Sequence, residues 1–517
     1  MRLEAGISAW RLETADGTVR LPYRNAAMRP RNFEDRYDAE TVFFDVFWDS
    51  DYRGVVIVAA PMLGLSEDLP FTLRALPSGT PCEFATERRP YNVRITLSPP
   101  AGTVALEALW GEQRIVLPVQ PNGNAAFAGR NVIYTLQRDN DLVWIRDWAH
   151  FYAREHGADV AIVYDNGSTR YSRAEVANTL AGVAGIEAVM VLDWPFPYGA
   201  FDCREELSFN VFDAAYCQVA AFEHVRRRFC ADARGLANVD LDELIVRRGQ
   251  RTMFDAAAEA QSGYLRIFGY WNENARAPED AARPQRRHRD FPFVSKPAAR
   301  PCESKWVVVP QRLDHFATLH IHDVYNARTT ESADFCLYHF RGINTMWDRE
   351  RLTFGTRAAE FVADEGMHQK VPELAAALAR AFDTGDDAGF ESRVAAARPE
   401  MAAYIARIES GRAAGRGSRL SPYTADCPKC LTELGGMTLI ERQLAVLRGA
   451  GIRDIVIVCG YRAEMLQLDG TTQVINPAWE STNMVESLFA AKDHSGDDMI
   501  VSYSDIVYEP RVIEAVL

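Results

Sequence analysis

The chain has 517 residues, which at roughly 150 per domain points to about three domains. Apolar residues make up 48% and charged residues 25%, and 57 basic against 71 acidic side chains leave a net charge of −14. That balance excludes strong non-specific attraction to nucleic acid or an anionic membrane, although a few local cations suffice for an anionic nucleotide. The opening MRLEAGISAWRLETADG lacks an uninterrupted apolar stretch, so no signal peptide is expected. No run of about 18 apolar residues predicts a transmembrane helix. Nine dispersed cysteines read as reduced thiols of a cytoplasmic protein. Only Cys427 and Cys430 stand at C-x-x-C spacing, and no second pair completes a zinc site.

Residues 1–128 alternate short apolar runs with Pro, Gly, Asn and Ser. TVFFDVFWD (41–49), YRGVVIVAA (52–60), YNVRITLS (91–98), TVALEALW (103–110) and QRIVLPV (113–119) predict strands of a β-rich accessory domain. From 129 to 355 the pattern becomes strand, helix, strand. NVIYTLQRD (131–139), ADVAIVYD (158–165) and IEAVMVLDW (186–194) read as buried strands. LVWIRDWAHFYAREHG (142–157) and EVANTLAGVAG read as the helices between them. Such alternation predicts an α/β domain with a mostly parallel sheet. Residues 356–410 predict a helical connector, with PELAAALARAF (372–382) and PEMAAYIARIES (399–410) as amphipathic helices opened by Pro. A Gly-rich loop and a second strand–helix series begin at 411.

GLANVDLDELIV (235–246) carries Asp240, Asp242 and Glu243 among apolar residues. On a strand ending in D-x-D, two carboxylates face one side and suit Mg²⁺ or Mn²⁺ held against a diphosphate. A solvated strand end or turn carries the same pattern. IVYDNGS (162–168) places Asp165 and Asn166 in a turn beyond another strand, where open α/β sheets collect ligands; DNGS also favours a plain Asx-turn. His320 and His322 would share a face if ATLHIHDV were a strand, and His339 stands in LYHFRG. Each is a candidate metal ligand or phosphate contact, or an ordinary core histidine. Lys305, Arg312 and Arg341 are candidate phosphate cations. Glu243 and Asp323 are candidate general bases, between which the sequence does not choose. The basic run RPQRRHRD (283–290) reads as a solvated loop.

QRDNDLVWIRDWAHFYAREHGADVAIVYDNGS, GLANVDLDELIV, CESKWVVVPQRLDHFATLHIHDV and LYHFRGINTMWDRER together resemble nucleotide-sugar glycosyltransferases of the family 2 and family 92 type. The resemblance implies a GT-A, Rossmann-like fold over 129–355 and metal-assisted sugar transfer from a nucleotide diphosphate. By position Asp240 and Asp242 match the family's metal and diphosphate motif, with His322 a candidate further ligand. Asp165 matches the nucleotide-side turn; Asn166 beside it, and the candidate cations Lys305 and Arg341, are the further candidate nucleotide contacts.

AAGRGSRLSPYTADCPKCLTELGGMTLIERQL (413–444) is sharper. Gly415 and Gly417 let backbone N–H groups approach phosphates, Arg416 and Arg419 add charge, and Lys429 follows in PKCL as a point charge for an α-phosphate. The segment resembles MobA-like and sugar-nucleotide nucleotidyltransferases. NPAWESTNMVESLFAA (476–491) and MIVSYSDIVYEP (499–510) extend the resemblance to phosphocholine and aminoalkylphosphonate cytidylyltransferases. It implies Asp505 as a Mg²⁺ ligand and places Trp479 and Asn483 in the nucleotide and substrate region. The family opens with an apolar strand where ARIESGR (406–412) stands here, and it continues beyond residue 517, so 411–517 reads as the N-terminal part of that domain.

The reading that leads is a metal-dependent glycosyltransferase acting on a cell-envelope or capsule-type glycan. The alternatives are a CTP-dependent cytidylyltransferase for phosphocholine or a phosphonate headgroup, and a non-catalytic nucleotide-binding scaffold. The expected partners are a nucleotide-sugar, a glycan acceptor and CTP, without nucleic acid.

Overall fold

The computed structural model describes residues 1–13, 19–30, 33–63, 71–89, 91–200, 213–277, 286–343, 361–363, 365–382, 428–434, 437–460, 462–466, 468–476 and 491. The chain forms two compact units, Met1–Thr384 and Gly385–Leu517.

The first unit begins with two antiparallel sheets. Trp10–Arg11, Thr41–Trp48, Val55–Ala59, Val93–Leu97 and Phe84–Arg88 lie side by side in that order, and Gln113–Pro118, Ala105–Trp110, Phe71–Leu76 and Thr80–Cys82 form the other sheet. Between them Trp10, Phe43, Ile57, Leu73 and Leu106 pack as one core. Thr41–Trp48 is buried along nearly its whole length because it faces two cores. Phe43 and Val46 point into the β core, while Phe44 and Phe47 join Trp194, Tyr134 and Tyr164 of the following α/β part. Asp45, the one charge in this run, is fully buried. Arg228 and His224 each reach its carboxylate at 2.8 Å, and the Ser8 N–H donates to it at 2.7 Å.

The α/β part is built from β1 (Asn131–Gln137), α1 (Leu142–His156), β2 (Val160–Asp165), α2 (Arg173–Ala181), β3 (Ala188–Asp193), α3 (Tyr216–His224), β4 (Gly235–Asn238), β5 (Glu243–Arg247), α4 (Met253–Glu259), β6 (Tyr264–Asn272), β7 (Pro301–Val308), β8 (Phe335–Phe340) and α5 (Pro372–Phe382). Its sheet runs β3-β2-β1-β4-β7-β6-β8-β5, with Arg2–Leu3 beside β3 and Thr330–Glu331 beside β6. The first four are mutually parallel, which is why β1 and β2 read as apolar runs: both faces are covered. The α/β class expected from the alternation is the observed one. Asp141 accepts from the Val143 N–H to start α1, and Gly157 at φ 65° ends it. A Ser172–Glu175 capping box opens α2.

Two expectations change. Helix α5, read as part of a connector, buries Leu374, Ala377, Leu378, Ala381 and Phe382 in the core shared with α1 and β5, and Arg380 reaches Glu155 at 2.9 Å. The first unit therefore runs on to Thr384. The basic run is not a solvated loop in its described residues, 286–290: Arg287, His288 and Asp290 are buried. Arg287 donates to Asp147, a carboxylate on the buried side of α1, at 2.8 Å through Nε. A buried carboxylate needs a cation, and this run supplies it from 140 residues away. The expected helix at 399–410 lies outside the described residues.

In the second unit a capping box of Thr438 and Glu441 starts α6 (Leu439–Gly449), and β9 (Val456–Cys459) pairs in parallel with β10 (Thr472–Ile475). Cys430, Ile440, Leu444, Ile455, Cys459 and Leu466 form its core. Among the described residues no helix is long and apolar enough to cross a membrane, and Cys82, Cys217, Cys230, Cys302, Cys336, Cys430 and Cys459 are free thiols.

Candidate active site

Strand β1 has β2 on one side and β4 on the other, so the chain reverses direction across the sheet there. Beyond the carboxyl ends of strands at such a switch lies the crevice where open α/β sheets bind ligands. Gln137, Asp165 and the segment after Asn238 stand at those ends. Gln137 Nε2 donates to Asp165 Oδ1 at 2.6 Å. The Ser168 hydroxyl and N–H also donate to the Asp165 carboxylate, at 2.5 and 3.0 Å, closing the DNGS turn. Burial raises the Asp165 carboxyl above its ordinary range, against the pull of Ser168. Asn166 donates to the carbonyls of Trp194 and Phe196 at 2.7 and 2.8 Å, tying the ends of β2 and β3 together.

Asp240 and Asp242 are not on one face of a strand. β4 stops at Asn238 and β5 starts at Glu243, so the D-x-D motif forms the turn between them, where two-residue alternation is lost. The Glu243 N–H donates to the Asp240 carbonyl, and the Asp240 N–H donates to Glu243 Oε2, both at 3.0 Å. The two aspartates thus meet different partners. Lys305 of β7 lies 2.5 Å from Asp240, and His339 of β8 lies 3.2 Å from Asp242. Glu243 bridges them, 3.2 Å from Lys305 and 3.4 Å from His339. Glu243 and Lys305 are both fully buried. Burial raises the Glu243 carboxyl above its ordinary value. Burial alone would lower the Lys305 ammonium, but Asp240 and Glu243 outweigh it and hold it above its ordinary value.

His320 and His322 also do not share a strand face. They occupy the turn between Thr318–Leu319 and Val324–Tyr325, closed by the His320 N–H donating to the Asp323 carbonyl at 2.9 Å. His322 is pushed down to about 2 by burial and by the Lys305 cation, so it is a neutral ring. Its Nδ1 lies 3.2 Å from the Ser304 carbonyl. Asp323 accepts from the Tyr264 hydroxyl at 2.6 Å and pairs with Arg266 at 3.0 Å. Arg312 donates to the carbonyls of Ala258 and Ala260 at the end of α4, a structural role.

Sequence reasoning missed Trp271. Its ring stacks on His339 with centroids 3.9 Å apart, and the Arg341 guanidinium lies 4.5 Å from its ring centroid. Arg341 also approaches Glu273 at 3.6 Å. A lone Trp reads as core, so the only signal was its place in β6, a strand otherwise broken by the exposed Phe268 and Tyr270.

A divalent cation does not fit the cluster as arranged. Lys305 occupies Asp240 and Glu243, His339 faces Asp242, and among the described residues no group of three or more His, Cys, Asp and Glu side chains is arranged to hold a metal ion. Gly415, Arg416, Gly417, Arg419, Trp479, Asn483 and Asp505 lie outside the described residues. Lys429 opens a 3-10 turn, Lys429–Leu431.

Comparison with known proteins defines the C-terminal part by class. Residues 413–517 match the MobA-like NTP transferase domain. Among curated relatives, the chain is similar to the CTP:phosphoglutamine cytidylyltransferase of Campylobacter jejuni, with 40% identity over 107 residues, 19% of this chain and 42% of that one. It is also similar to the choline-phosphate cytidylyltransferase of Streptococcus pneumoniae, with 31% identity over 101 residues, 19% of this chain and 44% of that one. The chain thus spans less than half the length of these relatives. Among solved structures, a bifunctional glycosyltransferase in its apo form aligns over 40% of this chain and 35% of its own, at 9% identity and a TM-score of 0.22, too low to bear on fold or function.

Proposed function

We propose that this chain takes part in two nucleotide-dependent transfers. The C-terminal segment is the CTP-binding part of a cytidylyltransferase, a reading carried by the match of 413–517 to the MobA-like domain and by its cytidylyltransferase relatives. Gly415 and Gly417 cradle the triphosphate with their N–H groups, and Arg416, Arg419 and Lys429 neutralise it. A phosphorylated headgroup attacks the α-phosphorus and pyrophosphate leaves. Incubation of the chain with CTP and phosphocholine or another phosphorylated headgroup tests this by pyrophosphate release. A signal lost in Lys429→Ala supports the reading, and CTP binding that survives this change sinks the assignment.

The first unit is proposed as a glycosyltransferase. The observation that favours this is the convergence of Lys305, His339 and Glu243 on Asp240 and Asp242, which follow the carboxyl end of β4 next to the sheet's switch point. Arg341 supplies positive charge for the donor's diphosphate, while Lys305 offsets the carboxylates of Asp240 and Glu243 beside it. Glu243, sealed from solvent, positions Lys305 and His339. Removal of the acceptor hydroxyl's proton falls to a carboxylate that solvent reaches, Asp323 or Asp242. The bond from that oxygen to the sugar forms as the nucleotide diphosphate leaves. Turnover of UDP-, GDP- and CDP-sugars by the chain and by Asp242→Asn tests it, and equal rates in both would remove Asp242 from the mechanism.

A further inference from the structure

A second charged cluster lies in the first unit, apart from the strand-end crevice. Arg89 follows the strand Phe84–Arg88, Arg94 lies on Val93–Leu97, and Arg226 and Arg227 lie in the wide turn Val225–Phe229 after α3. Their guanidinium groups surround two carboxylates. Glu223 meets Arg94 at 3.0 Å, Arg227 at 3.1 Å and Arg226 at 4.0 Å. Glu87 meets Arg94 directly, Arg89 at 3.3 Å and His315 at 2.7 Å. Asp314, nearby in the chain, spends its carboxylate on the Phe316 N–H at 2.8 Å. Four guanidinium groups against two carboxylates leave an excess of two positive charges within the cluster.

That excess is held out of water. The side chains of Arg89, Arg94 and Arg226 are 5%, 2% and 4% exposed. Buried charges are ordinarily paired, so an uncompensated surplus here is costly. Burial pushes Arg226 down to about 10, and Arg227, Arg89 and Arg94 push the same way against Glu223 alone. Burial would raise the Glu223 carboxyl, but the four arginines outweigh it and hold it at about 2. Two donors in the cluster, Arg89 Nε and Arg227 Nη2, are buried without a hydrogen-bond partner. The rim is open: the Arg227 and His315 side chains are 27% and 57% exposed.

We infer that this cluster binds a small oxyanion of the phosphate class, either inorganic phosphate or a soluble phosphate monoester, at its open rim beside Arg227 and His315. A dianion at the rim cancels the charge surplus of the guanidinium groups behind it. Planar guanidinium forks match phosphate oxygens, which an ammonium would meet only as a point charge. No macromolecular ligand is needed to satisfy a site whose cationic groups are mostly buried.

Calorimetric titration of the full chain with inorganic phosphate and with glycerol phosphate, at constant ionic strength against a chloride control, tests the inference. Binding is expected, weakened about tenfold or more in Arg227→Gln, which loses a charge-assisted hydrogen bond. Glu87→Gln is expected to bind more tightly, because a carboxylate that competes for Arg94 and Arg89 is gone. A cluster that only stabilises the fold predicts no gain in that second variant. Absence of binding up to millimolar phosphate, affinities unchanged in both variants, or binding to phosphatidic-acid vesicles without binding to the soluble phosphates would each overturn it.

Discussion

Replacing Lys305 with Met tests whether the ammonium is what holds the carboxylate cluster together. Met approximates the length and volume of the lysine stem, so the change removes charge with little cavity cost. Lys305 is fully buried and lies 2.5 Å from Asp240 and 3.2 Å from Glu243. Asp240 is about one-third exposed and water compensates its loss, but Glu243 has no solvent to turn to. Stranding one buried carboxylate in this way costs about 3–5 kcal/mol. The assay is denaturant unfolding followed by intrinsic fluorescence, comparing the wild type, Lys305→Met, Glu243→Gln and the double variant. The double variant should recover at least about 2 kcal/mol relative to the sum of the singles, because a neutral amide needs no ammonium. A single-variant cost below about 1 kcal/mol, or strict additivity of the two changes, would show that the pair is not the organising contact.

Gly269→Ala should prevent the central sheet from forming, because a Cβ there would stand 1.7 Å from the Leu337 carbonyl oxygen on neighbouring β8; soluble, wild-type-like expression would refute this. Burial pushes His156 down to about 4, and its neutral ring donates from Nε2 to the Ile245 carbonyl at 2.6 Å. The unfolded chain therefore binds the extra proton first, so stability falls as pH drops from about 6.5 toward 4, by up to about 3 kcal/mol for this group. Melting temperatures measured across that range should show a shallower loss in His156→Gln, and an unchanged slope would contradict the assignment. With Lys305 occupying Asp240 and Glu243, affinity for a nucleotide-sugar should be the same in EDTA as in Mn²⁺; a tenfold gain with Mn²⁺ would restore a metal-centred reading.

The α/β half was legible because its signals are local. Buried parallel strands read as apolar runs, and Asp141 and Gly157 mark the ends of α1 whatever lies around it. What escaped depended on partners far along the chain. Thr41–Trp48 looked like a strand, but only the α/β core explains why both its faces are apolar. Arg287 looked like part of a solvated charge run until Asp147 was beside it. The acidic motif was readable as a site but not as a geometry: ending β4 at Asn238 gave two expected same-face carboxylates different partners, Lys305 and His339. Lys305 and His339 were already candidates by type, whereas Trp271 carried no mark that separated it from core.

Calorimetry on the full chain tests most directly the proposal that it carries two separate nucleotide sites. Titrations with CTP and with a nucleotide-sugar should give independent binding events. Arg341→Gln should weaken the nucleotide-sugar event at least about tenfold and leave CTP unchanged, and Lys429→Ala should abolish the CTP event alone. Loss of both events in either single variant, or a nucleotide-sugar event untouched by Arg341→Gln, would contradict it.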